Sequence, residues 1–318
     1  MITSQHWQQR VGSQRDWVWR GWQTRYTFIR PQGAGQKTTP MILLHGFGTS
    51  IGHWRQNLSV LAEYHTVYAL DMLGFGASEK APVNYRVDLW VEQVYDFWRT
   101  FIRHPVVLVG NSIGSLVAIA AAAKYPEMVQ GIAMLSLPDP SLETEAIPAF
   151  LRPAVASIKS LILSPLILKT LFKWARQPAG ARRWASFAYA NKSAVTDELL
   201  EILVAPAEDR GSAQAFYATF KAATIGIPGF SVKTVLPNLH IPILLIWGQQ
   251  DRMVPSVIAS QFAAYNPKVE LLTLENAGHC PHDECPEVVN QAILAWIDRF
   301  VNSPNNSAES IQTSVIKS

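Results

Sequence analysis

The fold is decided by the stretch Val106-Val107-Leu108-Val109-Gly110-Asn111-Ser112-Ile113-Gly114, which the segment Ser115–Lys124 follows. Its first four residues form a continuous apolar run, typical of a strand that is buried on both faces, and Ser115–Lys124 has a helical pattern. A serine between two glycines at this junction fits a sharp strand-to-helix turn, because glycine lets two backbone segments cross closely. We therefore predict that Ser112 lies on such a turn, at the end of a buried strand.

Other short apolar runs lie on both sides of this stretch, and helical patterns separate them. The runs are Met41–Leu44, Thr66–Leu70, Ile132–Leu137, Ile243–Trp247 and Val269–Leu274. The helical patterns are Asp88–Ile102, Pro255–Tyr265 and Pro286–Phe300. Aromatic runs on either side of Gly21 predict an additional hairpin near the start of the chain. Alternating strands and helices predict an α/β fold with a mostly parallel, doubly wound sheet.

The alternation is interrupted once, and this interruption sets the predicted domain organisation. From Asp139 to Phe230 the patterns are helical, without a convincing strand. Because the sheet pattern resumes at Ile243, we predict a helical cap at residues 139–230, inserted into a core of residues 16–138 and 231–301. The polar segments 1–15 and 302–318 are predicted to be a flexible N-terminal segment and a disordered tail.

Composition excludes several classes of protein. The 27 Lys and Arg residues exceed the 24 Asp and Glu residues by only 3, which is too weak a bias for a dedicated nucleic-acid binder. Two cysteines, Cys280 and Cys285, cannot build a disulfide framework. The longest apolar stretch, Ser157–Phe172, is interrupted by a proline and two lysines and is not a plausible membrane span. We therefore predict a cytoplasmic protein with no nucleic-acid partner.

Two further residues supply what a serine nucleophile requires. Asp251 follows the run Ile243–Trp247, and His279 follows Val269–Leu274. A serine hydroxyl needs a base, and the base needs an anion that fixes its tautomer. We predict Ser112 as the nucleophile, His279 as the base and Asp251 as its anionic partner. Asp139 is an alternative acid, although a residue that starts the insertion is more simply a turn or cap residue.

A second glycine-containing turn follows the run Met41–Leu44. Acyl transfer develops an oxyanion, which backbone N–H groups stabilise well, and we assign these donors to Phe47 and Ile113. The residues predicted to support the site are His45, Gly46, Gly48, Gly110, Asn111 and Gly114. For His45 a role as a base is the competing interpretation, but its place before the glycine turn suits a structural role.

Together, the serine turn, the His45–Gly48 turn and the order Ser, Asp, His resemble the α/β-hydrolase superfamily over residues 16–138 and 231–301. The resemblance implies an α/β-hydrolase fold, a catalytic triad, a cap that shapes the substrate pocket and no cofactor. Ser112 as nucleophile argues against the haloalkane dehalogenases and epoxide hydrolases, which carry Asp there. One departure is Ser115, where a further glycine is common.

A narrower resemblance is to pheophytinase-like and chlorophyll dephytylase-like serine hydrolases. It rests on Trp17-Val18-Trp19-Arg20-Gly21-Trp22, on Trp54-Arg55 after the His45–Gly48 turn, and on Ala277-Gly278-His279-Cys280-Pro281 with Asp283-Glu284. This resemblance implies a carboxylic ester hydrolase that forms an acyl-enzyme. Its substrate would be a hydrophobic small molecule, a phytyl or prenyl-type ester of the chlorophyll or pheophytin kind.

Two other functions stay open at this point. Carbon–carbon bond hydrolases of ring-cleavage dienones share a similar Gly-Asn-Ser-x-Gly turn, although the residue after His279 is not the tryptophan of that group. A ligand receptor of the same fold that has lost useful turnover is the second alternative, and the intact Ser, Asp and His argue against it.

Two clusters suggest other ligands but lack the required spacing. His279, Cys280, His282, Asp283 and Cys285 stand close together, yet without a Cys-x-x-Cys pair or a helical His-x-x-x-His, and we predict no metal site. The loop Asp71–Gly76 carries two glycines of a dinucleotide-binding pattern, but Glu79 replaces the third, and we predict a plain tight loop.

The cap carries an unusually basic segment. From Leu151 to Arg183 there are seven Lys or Arg residues and no Asp or Glu, and Ser164-Pro165 has the pattern of a helix start. Within Pro165–Arg176, Ile167, Leu168, Leu171, Phe172 and Ala175 share one face, and Lys169, Lys173 and Arg176 share the other. We predict a helix whose apolar face roofs the active site. Peripheral contact with a membrane of thylakoid type is the alternative that this pattern leaves open.

Overall fold

The computed structural model describes residues 6–32, 39–145, 163–302 and 314–316 of the chain. Its strands form one nine-stranded sheet in the order β1-β2-β4-β3-β5-β6-β7-β8-β9. The strands are β1 Gln14–Trp19, β2 Trp22–Ile29, β3 Met41–Leu44, β4 Val67–Leu70, β5 Val106–Asn111, β6 Val129–Leu135, β7 Ile243–Gly248, β8 Val269–Leu274 and β9 Ser314–Ile316. Strands β1 and β2 form the antiparallel hairpin, and β3 to β9 are all parallel. The predicted α/β fold with a mostly parallel sheet is therefore confirmed.

Helices cover both faces of the sheet. They are α1 Trp7–Arg10, α2 Leu58–Leu61, α3 Val87–Phe101, α4 Ile113–Lys124, α5 Pro140–Glu145, α6 Pro165–Ala175, α7 Pro178–Ala188, α8 Asp197–Val204, α9 Ser212–Ile225, α10 Val232–Val235, α11 Val257–Tyr265, α12 Pro281–Glu284 and α13 Pro286–Trp296. Shorter turns of 3-10 helix lie at Ile51–Trp54, Lys192–Ala194, Ala205–Glu208 and Leu236–Asn238, and a π-helical turn at Ile297–Asn302.

The central strands are buried on both faces, as their continuous apolar runs require. All residues of β3, β4, β5 and β7 are buried. Alternate side chains along each strand belong to two apolar clusters, one on each face of the sheet. In β3, Ile42 and Leu44 belong to one cluster, and Met41 and Leu43 belong to the other. This rigid sheet fixes the positions of the loops that follow the carboxyl ends of its strands, where all the candidate catalytic residues lie.

The insertion lies between β6 and β7. Its described residues form helices α5 to α9 and short 3-10 turns, with no strand among them. The Asp139 carboxylate connects the two ends of the insertion: it accepts hydrogen bonds from the Ser141 amide (2.9 Å) and from the Val232 amide (2.8 Å). Asp139 is therefore a capping residue, as its position suggested. Residues 151–162 of the predicted basic segment lie outside the described residues.

Three predicted boundaries need correction. The segment 1–15, predicted to be flexible, contains helix α1 and the start of β1, because Val11 is fully buried against the core. The tail from 302, predicted to be disordered, contributes β9, which extends the parallel sheet beside β8. Helix α4 begins at Ile113 rather than Ser115, because the turn ends at Ser112 itself. Among the described residues, no helix is both long and apolar enough to span a bilayer.

Candidate active site

Ser112 occupies a strained turn between β5 and α4. Its φ of 54° and ψ of −118° lie outside the regions that non-glycine residues usually adopt, and such strain is often found at functional sites. The flanking glycines make the turn possible: a Cβ on Gly110 would lie 2.3 Å from the Gly114 carbonyl carbon, and one on Gly114 would lie 2.2 Å from the Leu44 carbonyl oxygen. The half-buried Ser112 side chain lines a cavity.

Ser115 takes the place of the glycine common in related turns, and the structure accommodates it. Its hydroxyl lies 2.7 Å from the Gly110 carbonyl oxygen and accepts a hydrogen bond of 3.0 Å from the Leu135 amide. The extra side chain therefore connects the first turn of α4 with β5 and β6, and it leaves the turn at Ser112 intact.

His279 and Asp251 form a hydrogen-bonded pair. The Asp251 Oδ2 atom lies 2.9 Å from the His279 Nδ1 atom, and Oδ1 accepts from the amides of Met253 (2.8 Å) and Val254 (2.9 Å). Both side chains are buried. A carboxylate only accepts, so the Nδ1 atom of His279 donates the hydrogen in this contact. Asp251, rather than Asp139, is therefore the carboxylate that contacts His279.

Ser112 and His279 line the same cavity. Among the described residues, the Ser112 hydroxyl has no hydrogen bond to the imidazole. Catalytic hydrogen bonds are often long in ligand-free enzymes and tighten when substrate binds. The shared cavity therefore places the Ser112 hydroxyl and the His279 imidazole where a single small molecule can contact both.

The amides of Phe47 and Ile113 are available for an oxyanion. Neither amide donates a hydrogen bond to another described residue. Ile113 is the first residue of α4, where the partial positive charge of the helix N-terminus favours an anion. Gly46 and Gly48 flank Phe47 and line the same cavity.

The buried side chains of His45 and Asn111 connect the turns that form the site. His45 is fully buried; its Nδ1 atom lies 2.7 Å from the Gly46 carbonyl oxygen, and its Nε2 atom accepts a hydrogen bond from the Met72 amide (3.1 Å). Burial lowers the pKa of His45 to about 4, so the ring is neutral at neutral pH. The Asn111 amide nitrogen donates to the His279 carbonyl oxygen (3.0 Å). His45 therefore connects backbone groups of two neighbouring loops, and Asn111 connects the Ser112 turn with the His279 loop.

The cavity is mostly apolar. It has a volume of about 160 Å³. Its large apolar side chains are Phe47, Phe75, Leu171, Phe172, Trp184, Leu203, Phe216, Phe220 and Met253. Phe47 contacts Phe75, Phe216 and Phe220 with ring centroids 5.5–5.6 Å apart. The loop Asp71–Gly76, predicted to be a plain tight loop, contributes Phe75 to this wall. Its Asp71 carboxylate accepts hydrogen bonds from the Ile51 and Ala77 amides.

Glu284 is a residue of the site that the sequence analysis left without a role. Its carboxylate accepts hydrogen bonds from the amides of Gly278 (2.9 Å) and Cys280 (3.3 Å), on either side of His279. It also accepts from the amides of Ala190 (2.7 Å) and Asn191 (2.9 Å), which belong to the insertion. Burial raises the pKa of Glu284, although these four hydrogen bonds oppose the rise. One buried carboxyl group therefore binds the His279 loop to the insertion.

Two further contacts strengthen this connection. The His279 amide donates to the Ala188 carbonyl oxygen (2.9 Å), and the Tyr189 hydroxyl donates to the Asp283 Oδ2 atom (2.7 Å). Arg55 pairs with Asp283 at 3.0 Å and with Glu198 of α8 at 2.7 Å. Burial raises the pKa of Asp283, and the Arg55 guanidinium opposes this rise.

Two buried histidines complete the network. The His282 Nε2 atom lies 3.3 Å from His53 Nδ1, and His53 Nε2 lies 2.8 Å from the Tyr189 hydroxyl. Because that hydroxyl already donates to Asp283, it accepts from His53. Burial lowers the pKa of His53 to about 3 and the pKa of His282 well below its usual range. We call this network the joint; its members are His53, Arg55, Tyr189, Ala190, Asn191, Glu198, His282, Asp283 and Glu284.

The joint explains why titratable residues crowd around His279. His282 contacts the core through His53, whereas Asp283 and Glu284 contact the insertion at Tyr189–Asn191. Cys280 is buried, and this burial raises the pKa of its thiol well above the usual range. Among the described residues there is no group of three or more side chains able to hold a metal ion. Only the tertiary contacts of these residues show their structural role, since their partners in the insertion and at His53 and Arg55 are 93 to 229 positions away in the chain.

Comparison with known proteins agrees with this fold. A family model described as the alpha/beta hydrolase fold matches residues 39–286. The chain is similar to the chloroplastic pheophytinase of Arabidopsis thaliana, with 26% identity over 83% of this chain and 62% of that protein. It is also similar to the 2-hydroxymuconate semialdehyde hydrolase of Pseudomonas sp. (strain CF600), with 27% identity over 80% of this chain and 83% of that protein.

A solved structure titled as a membrane phospholipase A, described as a bacterial virulence factor, superposes with a TM-score of 0.74 and 25% identity, over 93% of this chain and 89% of that one. The chain spans less than two thirds of the length of the pheophytinase. These similar proteins share the fold, but their names indicate different substrates. The chain belongs to the alpha/beta hydrolase family.

Proposed function

We propose that the chain is a serine hydrolase that cleaves a hydrophobic carboxylic ester through an acyl-enzyme. The observation that carries the proposal is the Asp251–His279 pair, whose imidazole lines the same cavity as Ser112. The strained turn at Ser112 and the two available amides are what acyl transfer requires beside this pair.

In the proposed reaction, the Ser112 hydroxyl attacks the ester carbonyl carbon while His279 Nε2 accepts its proton. The amides of Phe47 and Ile113 bind the oxyanion of the tetrahedral intermediate. His279 then returns the proton to the leaving alcohol oxygen, and the alcohol departs. A water molecule, deprotonated by His279, attacks the acyl-enzyme and releases the acid and free Ser112. Asp251 holds the tautomer and stabilises the imidazolium in both halves.

An ester with a long apolar chain, of the phytyl or prenyl type, is the substrate class that we propose. The aromatic and aliphatic wall of the cavity supports it, because an apolar chain gains free energy by leaving water for such a surface. The similarity to a chloroplastic pheophytinase, a protein named for pheophytin, makes chlorophyll and pheophytin the first esters to test.

The test is chromatographic. Purified protein is incubated with chlorophyll a, pheophytin a and a simple aryl ester, and the dephytylated pigments are sought. Ser112→Ala should lower every rate at least about 10⁴-fold, since loss of a serine nucleophile commonly costs that much or more. Its circular dichroism and melting temperature should match those of the wild type. Near-native turnover in Ser112→Ala would refute the assigned nucleophile.

The same assay separates the alternatives. Cleavage of the aryl ester without pigment turnover would keep the ester hydrolase and discard the pigment. Turnover of a coloured ring-cleavage dienone, the reaction class of the 2-hydroxymuconate semialdehyde hydrolase, would instead favour carbon–carbon bond hydrolysis. Tight retention of product with very slow hydrolysis would favour a receptor.

A further inference from the structure

Helix α6 has two faces of different character. On its inner face, Leu168 and Phe172 are buried, and Phe172 lines the cavity. On its outer face, Leu166, Ile167 and Trp174 are 76%, 40% and 40% exposed. These three side chains fall within about 100° of the helix circumference at 3.6 residues per turn. The sequence pattern predicts that Ile167 lies on the face that covers the active site. In the structure, Ile167 instead belongs to an exposed apolar stripe with Leu166 and Trp174.

Basic side chains lie beside this stripe. Lys169, Lys173 and Arg176 are exposed, and none of them forms a salt bridge with another residue in the part of the chain that the structure describes. From Leu163 to Thr196 the sequence carries six Lys or Arg residues and no Asp or Glu. An apolar stripe that includes a tryptophan, with lysines along its edge, is the pattern of a helix that lies in a membrane interface.

The cavity opens beside the same helix. Arg176, at the end of α6, lines the cavity and is exposed to solvent, as are Gly48 and Met253, so these residues mark its mouth. A surface that covered the outer face of α6 would therefore lie next to this mouth.

We propose that the outer face of α6 docks on an anionic lipid bilayer. Leu166, Ile167 and Trp174 enter the boundary between headgroups and acyl chains, while Lys169 and Lys173 contact lipid phosphates. Docking in this way places the cavity mouth at the membrane surface, so that an ester dissolved in the bilayer reaches Ser112 without crossing water. This delivery step rests on the proposed function, whereas docking itself does not.

Charge favours a bilayer over a second copy of the chain. In a two-fold symmetric dimer formed through this face, the same patch meets itself. Lys169, Lys173 and Arg176 of one copy would then face their counterparts, without an acidic residue of α6 or α7 to pair with them. An anionic surface pairs with all three.

Vesicle cosedimentation of the full chain tests the proposal. The wild type should sediment with vesicles of phosphatidylcholine and phosphatidylglycerol at 7:3, and much less with pure phosphatidylcholine. Lys169→Gln/Lys173→Gln should lower partitioning on the anionic vesicles about 30-fold, since each cation near an anionic surface contributes about 5-fold. Leu166→Ser/Trp174→Ser should lower binding to both kinds of vesicle, because it removes the inserting side chains.

Matched controls lie outside helix α6. Arg86→Gln/Arg103→Gln makes the same change in net charge at exposed positions, and Val18→Ser removes an apolar side chain that is 69% exposed. Both controls should bind like the wild type. Every variant should hydrolyse a short water-soluble ester at the wild-type rate, because none of these residues lines the cavity.

Several results would overturn the proposal. They are no sedimentation of the wild type, equal binding to neutral and anionic vesicles, or equal losses in the α6 and control variants. A wild-type dimer in analytical ultracentrifugation that Leu166→Ser/Trp174→Ser converts to a monomer, without vesicle binding, would assign the face to a second copy. Absence of ester hydrolysis would contradict the proposed function alone, since vesicle binding is measured independently of turnover.

Discussion

The insertion meets the core in two regions that differ in chemistry. At the joint, buried carboxylates of Asp283 and Glu284 bind the segment Tyr189–Asn191 through directional hydrogen bonds of 2.7–2.9 Å. At the roof, which we define as helices α6 and α9, the contacts are between aromatic rings; Phe216 lies 5.5 Å from Phe47 and 5.3 Å from Phe172.

This difference gives the two regions different roles: the joint positions His279, and the roof adapts to the substrate. A hydrogen-bonded carboxylate in a buried site tolerates little displacement, because each unsatisfied amide costs about 1–3 kcal/mol. Apolar contacts are not directional, so aromatic rings can slide past one another at smaller cost. The joint therefore fixes His279, which shares its loop, while the roof is the part of the insertion able to adapt to a substrate.

The largest expected effect comes from breaking the joint at Glu284. Glu284→Gln keeps the size of the side chain but turns an NH₂ group toward amides that need an acceptor. We expect kcat to fall about 10- to 100-fold, from the cost of an unsatisfied buried donor near the base, with KM little changed. Steady-state kinetics on the aryl ester measures the split between kcat and KM.

Glu287→Gln is the matched control, since Glu287 is exposed three positions further along the chain. It should retain wild-type kinetics. A phosphonate probe that reacts covalently with Ser112 gives a second readout: its rate constant should fall in Glu284→Gln as kcat does. Unchanged labelling and kcat, with only a lower melting temperature, would show that Glu284 stabilises the fold without positioning His279.

Acid should also act on the joint before it acts on the roof. Burial holds the pKa of His53 at about 3, whereas an unfolded chain takes up a proton near pH 6.5. The stabilising contribution of the neutral ring is therefore complete above pH 6.5 and falls as the pH decreases toward 3. From pH 7 to pH 5, His53 should lower the free energy of unfolding by about 2 kcal/mol. Helices α6 and α9 contain no histidine, so the roof has no corresponding dependence.

Urea unfolding at pH 7 and pH 5 measures this effect. His53→Gln keeps a donor for the Tyr189 hydroxyl but does not titrate, so its stability difference between the two pH values should be about 2 kcal/mol smaller than that of the wild type. His104→Gln, at an exposed position, is the matched substitution. An identical difference in wild type and His53→Gln would contradict a buried neutral His53.

Much of this arrangement could be predicted from the sequence, because the predictive signals are local. A run such as Val106–Val109 indicates a buried strand, and the glycines around Ser112 indicate a tight turn. The order Ser, Asp, His, together with the strands that precede each residue, then predicts that Ser112, Asp251 and His279 lie at one edge of the sheet. The roles of these residues in catalysis stay predictions until turnover is measured.

The joint could not be predicted, because its contacts join distant segments. The sequence shows Asp283 and Glu284 beside His279, but nothing local indicates that their partners are Tyr189 and Ala190. The predicted boundaries of the two terminal segments were wrong for a related reason. Val11 and β9 are ordered by packing and strand pairing with distant parts of the chain, whereas their own segments are polar.

The smallest expected effect comes from changing the roof at Phe216. Phe216→Leu removes ring contacts with Phe47, Phe172 and Phe220, and aromatic pairs contribute about 0.5–1.5 kcal/mol. If the alcohol chain lies against this wall, kcat/KM for phytyl acetate should fall about 2- to 10-fold. Ethyl acetate, which does not reach the wall, should be hydrolysed as before. Phe187→Leu, at a residue 49% exposed on α7, is the control. Equal losses for both acetates would mean that Phe216 positions the catalytic residues, and the division between joint and roof would fail.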